Sequence, residues 1–370
     1  MTVMSTGGLR KNWDVPLLAL TYLTAIFGIL ILYSATLGDK VNSAKTQTIW
    51  LVLATFALAL GSRINYHQYG RFTRHLYSIN LLFLLVVWLK GHGAKGAVRW
   101  IKVGGFQFQP SEVAKIILIL SLAHYIVSHR EEIREFWGLF RSFLLILIPA
   151  IIIVKQPDLG TGLVVIAVWF GMTFMAGAKG LHLALFALFG LLCFVGAWKA
   201  GVIRDYQKAR LEVFINPEHD VDGAGYHVAQ ARIAIGSGGT WGRGYLKGQS
   251  VRGGFIPEKQ TDFVFTTIGE EMGFAGGVGL LLLYTLLLWR IRVVIMAAYE
   301  DELGKLIAIG IATMLAFHIV VNLGMNVGIM PVTGVPLPFV SAGGSNLILL
   351  FFSIGILQSI VNNRRDLLFG

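Results

Sequence analysis

VPLLALTYLTAIFGILILYSAT, residues 15–36, carries no charged side chain. At about 1.5 Å of rise per residue, a helix over such a run crosses roughly 30 Å of hydrocarbon. Runs of the same kind recur at residues 47–61, 76–89, 112–127, 142–155, 161–177, 181–202, 263–289, 306–330 and 344–361, about ten in all. The weakest are 47–61 and 112–127, which are short or interrupted by polar residues. Of the 370 residues, 55% are hydrophobic and only 14% charged, and the mean hydropathy is +0.68; soluble chains are nearer a quarter charged. The reading is an all-α, polytopic membrane protein of about ten transmembrane helices, one integral domain over residues 1–370. The first run is too long for the core of a cleavable signal peptide, and Tyr33-Ser34-Ala35-Thr36 is a poor cleavage site, so it is read as a retained span. The single cysteine, Cys193, excludes an intrachain disulfide and a cysteine-based metal cluster.

Working outward, the one long polar interval is 204–262, between spans seven and eight, dense in Gly, Arg and Lys. The short connections set its side of the membrane. Arg10, Lys11, Arg63, Arg71, Arg74, Arg130, Arg134, Arg141, Lys179, Arg290, Arg292, Lys305, Arg364 and Arg365 fall on one side, and about half as many cations on the other. The cation-rich side is cytoplasmic by this rule, with both termini inside and the 204–262 loop outside. The net charge of +11 exceeds what the rule needs. Much of the surplus lies in the outer loop, at Arg204, Lys208, Arg210, Arg232, Arg243, Lys247, Arg252 and Lys259. Such cations suit a phosphate-bearing lipid or simply anchor the loop to headgroups. Nucleic acid does not belong on that side.

Four shorter features matter. Ile133, Phe136, Trp137 and Phe140 alternate with charges across 130–141, which reads as an interfacial helix. Residues 109–112 (Gln-Pro-Ser-Glu) enter a span with Ser111 as a candidate N-cap and Pro110 equally suited to the first turn. Glu112 and Lys115 share a helix face and can pair. Asp158 is placed to cap the next span. Residues 330–345 hold Pro331, Pro336 and Pro338, several glycines and no charge. They cannot form a regular helix and are too apolar for a solvated loop, so they read as a re-entrant segment lining a cavity.

The outer segments hold the groups that phosphate-lipid chemistry needs. Lys95, Arg99 and Arg210 can hold a pyrophosphate, and Trp100 can stack on a sugar. The glycine turns 236–239 and 343–344 can cradle an anion. Asp262 can act as general base on a hydroxyl, although an Asp before an apolar run also serves as an N-cap. Glu270 and Glu271 either tune these cations or make polar helix contacts.

The strings at 108–115, 156–161, 233–239, 257–263 and 334–345 resemble, in order and over most of the chain, the motifs of the SEDS family (shape, elongation, division and sporulation). Asn216-Pro217-Glu218 and residues 223–227, with the short leader, bring it nearer the elongation branch than the division branch. The resemblance implies a peptidoglycan glycosyltransferase, a hexosyltransferase that polymerises lipid II on the outer face of the bacterial cytoplasmic membrane. It implies a class B penicillin-binding protein as transpeptidase partner, with other elongation-complex membrane proteins. The family's essential aspartate falls on Asp262 and its loop tryptophan on Trp100. Gln260 stands where the family usually has His, which favours the carboxylate as base. The substrate-binding set is then Trp100, Arg99, Lys95, Glu112, Lys115, Arg210, Glu258, Ser341, Gly343 and Gly344, and Asp262 is also a possible ligand for Mg or Mn. The rival functions are a lipid II flippase, a non-catalytic scaffold, and the division paralogue with the same chemistry. The absence of an internal repeat counts against a transporter.

Overall fold

A computed structural model describes residues 13–37, 42–90, 101–103, 106–201, 203, 205–215, 224–256 and 258–369. The apolar runs are helices: α1 (Val15–Ala35), α2 (Ser43–Arg63), α3 (Tyr66–Lys90), α4 (Pro110–Ser128), α5 (Phe136–Lys155), α6 (Leu159–Met175) and α7 (Gly180–Lys199). After a gap come three shorter helices, α8 (Asp205–Ile215), α9 (Ala224–Ser237) and α10 (Gln249–Arg252). The long spans resume as α11 (Val264–Ala297), α12 (Glu302–Val327) and α13 (Gly344–Phe369). Among the described residues, 9 helices are long and apolar enough to cross a membrane, and Leu159–Met175 is a shorter apolar tenth. A small hairpin, β1 (Ile101–Val103) against β2 (Phe106–Phe108), precedes α4, with Ile101 opposite Phe108.

Two expectations change. The 204–262 interval is substantially helical, because α8 and α9 pack on each other and α9 packs on α11 and α12. The 130–141 stretch is not one interfacial helix. Glu132–Arg134 forms a 3-10 turn, Glu135 is extended, and α5 starts at Phe136. Ile133 is buried at 0% exposure. The turn folds back on α5 so closely that a Cβ at Gly138 would strike the Glu132 carbonyl.

α4, α12 and α13 form the inner layer, and α7 lies at the edge, where Leu183 and Phe186 are its buried residues. α13 runs along α2, and a Cβ at Gly61 would sit 2.7 Å from the Phe352 carbonyl. Small residues at such crossings let two backbones approach and gain dispersion contacts that lipid cannot supply. At one end of the bundle, Arg290 Nε donates to both oxygens of Asp14, at 2.8 and 3.1 Å. The Asp14 backbone exchanges two hydrogen bonds with the Gln358 side chain, at 2.8 and 3.1 Å. The Tyr66 hydroxyl at that end donates to Asp301, which also caps α12 through the Gly304 amide. Burial, and then Asp301, hold that hydroxyl protonated well above the usual tyrosine range. Its contribution is therefore complete below the unfolded tyrosine pKa of about 10 and fades as pH rises beyond it.

α11 is broken at Gly273, where φ is 64° and ψ is −158°. The break frees backbone groups inside an apolar helix, where water cannot satisfy them. The turn 238–244 does so instead. Phe274 N and Ala275 N donate to the carbonyls of Gly239 and Thr240, at 2.9 and 3.0 Å. Arg243 N and Gly244 N donate to the carbonyls of Glu270 and Glu271, each at 3.0 Å. A Cβ at Gly273 would meet the Gly239 oxygen at 2.8 Å in a backbone conformation L residues avoid. Gly273→Ala is therefore expected to destabilise the fold by about 1–3 kcal/mol. Gly279→Ala, where the added carbon meets nothing within 4 Å, should be neutral. Thermal midpoints of the detergent-purified variants check both.

Candidate functional site

The residues ahead of α11 form a tight turn in which the Glu258 carbonyl accepts from Thr261 N (3.2 Å) and Phe263 N (3.1 Å). Phe263, not Asp262, occupies the N-cap position of α11. Of the two sequence readings of Asp262, helix cap or reacting group, the first is therefore not realised at that position. The Asp262 carbonyl is held from α12, where Asn322 Nδ2 donates at 3.1 Å and Asn326 Nδ2 at 2.9 Å. Across from it is Gly334, at φ 74°; a Cβ there would lie 3.6 Å from Asp262 Oδ2. The Asp262 side chain is half-buried at this contact.

Residues 328–343 carry no helix, as their prolines dictate, yet Val335, Leu337, Phe339 and Val340 are buried. An irregular segment is stable at this depth only when its polar groups are matched. Ser341 Oγ accepts from Leu337 N (2.9 Å) and donates to the Thr261 carbonyl (2.6 Å). Ala342 N donates to the Gln260 carbonyl at 2.8 Å, and Gln260 also bonds Ser43 of α2 through its side chain. Gln47 donates to the Ser341 carbonyl and accepts from Gly343 N, each at 3.2 Å. Asn322 donates to the Val335 carbonyl at 2.8 Å, and the Tyr284 hydroxyl to that of Pro338 at 2.7 Å. The re-entrant reading holds in that the segment is both irregular and enclosed.

The α4 and α6 motifs meet on the same segment. Gln109 Nε2 and Ser111 Oγ both donate to Asp158 Oδ2, at 2.8 and 3.0 Å. Asp158 caps α6 by accepting from Thr161 N. Ser111 is not the N-cap of α4, because Gln109 holds that position with Pro110 in the first turn. A Cβ at Gly160 would lie 2.8 Å from the Thr333 carbonyl, so the α6 start abuts the re-entrant backbone. Glu112 and Lys115 form the expected ion pair at 2.9 Å, with side chains only 6% and 3% exposed. Lys115 Nζ also lies 3.2 Å from His318 Nε2. Glu112 Oε2 is buried without a hydrogen-bond partner.

The other predicted residues are less concentrated. Lys95, Arg99 and Trp100 lie outside the described residues. Glu258 is exposed, with its carboxylate 3.1 Å from Thr261 Oγ1. Arg210 lines a cleft with Arg232, Val213, Phe214, Val228 and Val332. Three of the glycine amides expected to cradle an anion are already taken. The Gly238 and Gly239 amides bond the Ile235 and Gly236 carbonyls at 3.2 and 3.3 Å. The Gly343 amide is taken by Gln47, and Gly344 packs against the Trp50 ring. Glu270 and Glu271 serve as acceptors for the loop before α11, from Ser250 N (2.8 Å) and from Leu246 N (3.2 Å) and Gly248 N (3.3 Å). Glu271 also accepts from Ser34 Oγ at 2.5 Å. Sequence reasoning missed Gln47, His318, Asn322 and Asn326. The last three recur every fourth residue along α12, a polar face inside an apolar run, and that spacing was the available signal.

The profile of the FtsW/RodA/SpoVE family, described as a cell cycle protein, matches residues 15–366. Stage V sporulation protein E of Bacillus subtilis (strain 168) is 35% identical over 368 residues, covering 96% of this chain and 99% of that one. Peptidoglycan glycosyltransferase MrdB of Escherichia coli (strain K12) is 35% identical over 364 residues, covering 97% and 96%. A solved chain from a peptidoglycan synthase complex that coordinates polymerization and crosslinking superposes with a TM-score of 0.82 at 33% identity, covering 95% of this chain and 98% of that one.

Ser341→Ala removes the hydroxyl that serves both Leu337 N and the Thr261 carbonyl. Leaving those two groups unmatched should cost about 1–3 kcal/mol. Ser353→Ala, which loses only a bond to the Leu349 carbonyl of its own helix, should cost less. Thermal unfolding in detergent compares the two.

Proposed function

The chain belongs to the FtsW/RodA/SpoVE family, and on that premise we propose a mechanism in which Asp262 is its general base. The protein is a peptidoglycan glycosyltransferase and a multi-pass membrane protein. Its donor is a growing glycan on a lipid pyrophosphate, and its acceptor is the sugar 4-hydroxyl of lipid II. The acceptor oxygen attacks the anomeric carbon of the donor, and the carbon–phosphate-oxygen bond breaks. The electron pair leaves with the pyrophosphate and the hydroxyl proton passes to Asp262. Charge gathers on the departing pyrophosphate, where Lys115, Arg210 or Arg99 stabilises it.

The observation that carries the base assignment is the mounting of Asp262. Its backbone is gripped by Asn322 and Asn326, and its carboxylate faces Gly334 at the junction of α11, α12 and the re-entrant segment. A base must be held firmly where the substrate arrives. Among the described residues no cluster of three or more His, Cys, Asp or Glu side chains is arranged to hold a metal. In the alternative role, Asp262 would hold magnesium or manganese instead of taking the proton itself, and the ion would supply charge stabilisation at the leaving group.

The setting we propose is the bacterial cytoplasmic membrane, with both termini inside and the 204–262 interval outside, on the strength of the Lys and Arg distribution. A class B penicillin-binding protein is the proposed transpeptidase partner, supported by the likeness to a chain of a complex that couples polymerization to crosslinking. Asn216-Pro217-Glu218 and residues 223–227 favour a role in elongation, alongside its other membrane proteins.

Purified protein with its transpeptidase partner, blocked by a β-lactam, should extend labelled lipid II into long strands. Asp262→Asn should reduce strand formation by about 10²-fold or more, the scale of a lost general base. Near-normal strands from Asp262→Asn would sink the base role. No strands from the wild type, with lipid II crossing vesicle membranes, would point to a flippase.

A further inference from the structure

His318 lies in the middle of α12 and is 1% exposed. A buried imidazole needs a partner for each nitrogen. Nε2 is 3.2 Å from Lys115 Nζ, and Nδ1 is 3.3 Å from the Pro336 carbonyl oxygen. A lysine ammonium has only donors to offer. Nε2 must therefore accept, which leaves the single ring proton on Nδ1, directed at Pro336. The ring is a neutral, one-way link from Lys115 to the re-entrant backbone.

That link has no substitute in the ion pair. Glu112 and Lys115 are three residues apart on the same helix, so their bond at 2.9 Å ties Lys115 only to α4. A lysine stem has much rotamer freedom to lose before its charge is fixed in space. The contact with His318 is what ties the ammonium to α12 and, through Pro336, to the 334–336 backbone. That same backbone faces the Asp262 carboxylate at Gly334 and is held at Val335 by Asn322.

We propose that His318 is a positioning residue that keeps the Lys115 ammonium in register with Asp262. The proposal rests on the glycosyltransferase mechanism above, with Lys115 acting on the leaving pyrophosphate. The consequence falls on the transition state, where that charge develops, rather than on capture of substrate.

The test compares His318→Gln and His318→Leu in the complex with the transpeptidase partner, using labelled lipid II. A glutamine amide can reproduce the link, with its oxygen accepting from Lys115 and its NH₂ donating to Pro336. His318→Gln is expected to keep kcat within about threefold of wild type, and His318→Leu to lose about tenfold or more with KM little changed, the scale of one hydrogen bond to a charged group. Should His318→Leu fail to accumulate, His318→Met, flexible enough to fill the space, carries the same expectation. In a Lys115→Met background, the His318 substitution should add little further loss. A folded, partner-bound Leu or Met variant with wild-type kcat overturns the proposal, as does equal loss in the Gln and Leu variants. Wild-type kcat in Lys115→Met alone would instead overturn the role of Lys115 on which the proposal rests.

Discussion

A backbone amide or carbonyl that leaves a helix inside hydrocarbon has no water to turn to, and each one left unmatched costs several kcal/mol. Among the described residues the backbone breaks twice at such depth, at Gly273 in α11 and over residues 328–343 between α12 and α13. Each break is answered by protein. The glycine turn 238–244 closes the first, backbone to backbone. Gln47, Tyr284, His318, Asn322 and Ser341 close the second with side chains from three helices and from the segment itself. The rest of the architecture depends on these two repairs, because α1, α2, α11, α12 and α13 meet where they are made.

The repairs also explain how the acidic residues divide their work. Glu270 and Glu271 are fully buried and accept from backbone amides of residues 246–250, so their charge is spent fastening the loop to the kinked helix. Asp158 likewise caps α6 and gathers Gln109 and Ser111. Asp262 is held by its carbonyl, from two asparagines, with its carboxylate against Gly334 at a half-buried junction. The proposed proton transfer draws on that mounting, in which the backbone sets the reach of the carboxylate.

Much of the fold could be read directly. The ten apolar runs are helices, Asp158 caps, Glu112 pairs with Lys115, and the proline-rich stretch is irregular and enclosed. The failures have physical reasons. The 130–141 pattern was read by periodicity alone, and periodicity could not foresee that Gly138 lets the Glu132–Arg134 turn fold onto α5 and draw Ile133 inward. The glycine turns looked like anion cradles because glycine permits a cradle, a tight turn and a close packing contact equally. Here the last two apply.

What the sequence determined by itself was the solvent each segment requires: long uncharged runs must span, and polar or proline-rich stretches must not remain exposed to lipid. It also named the candidate side chains for chemistry, Asp262 foremost. What only the tertiary structure decided was which of those groups are consumed in holding the fold. His318, Asn322 and Asn326 recur every fourth residue, but that spacing names a helix face and not the partner across from it. The partners are Lys115, the Asp262 carbonyl and the 335–336 backbone, brought together because unmatched polar groups in a membrane interior must find one another.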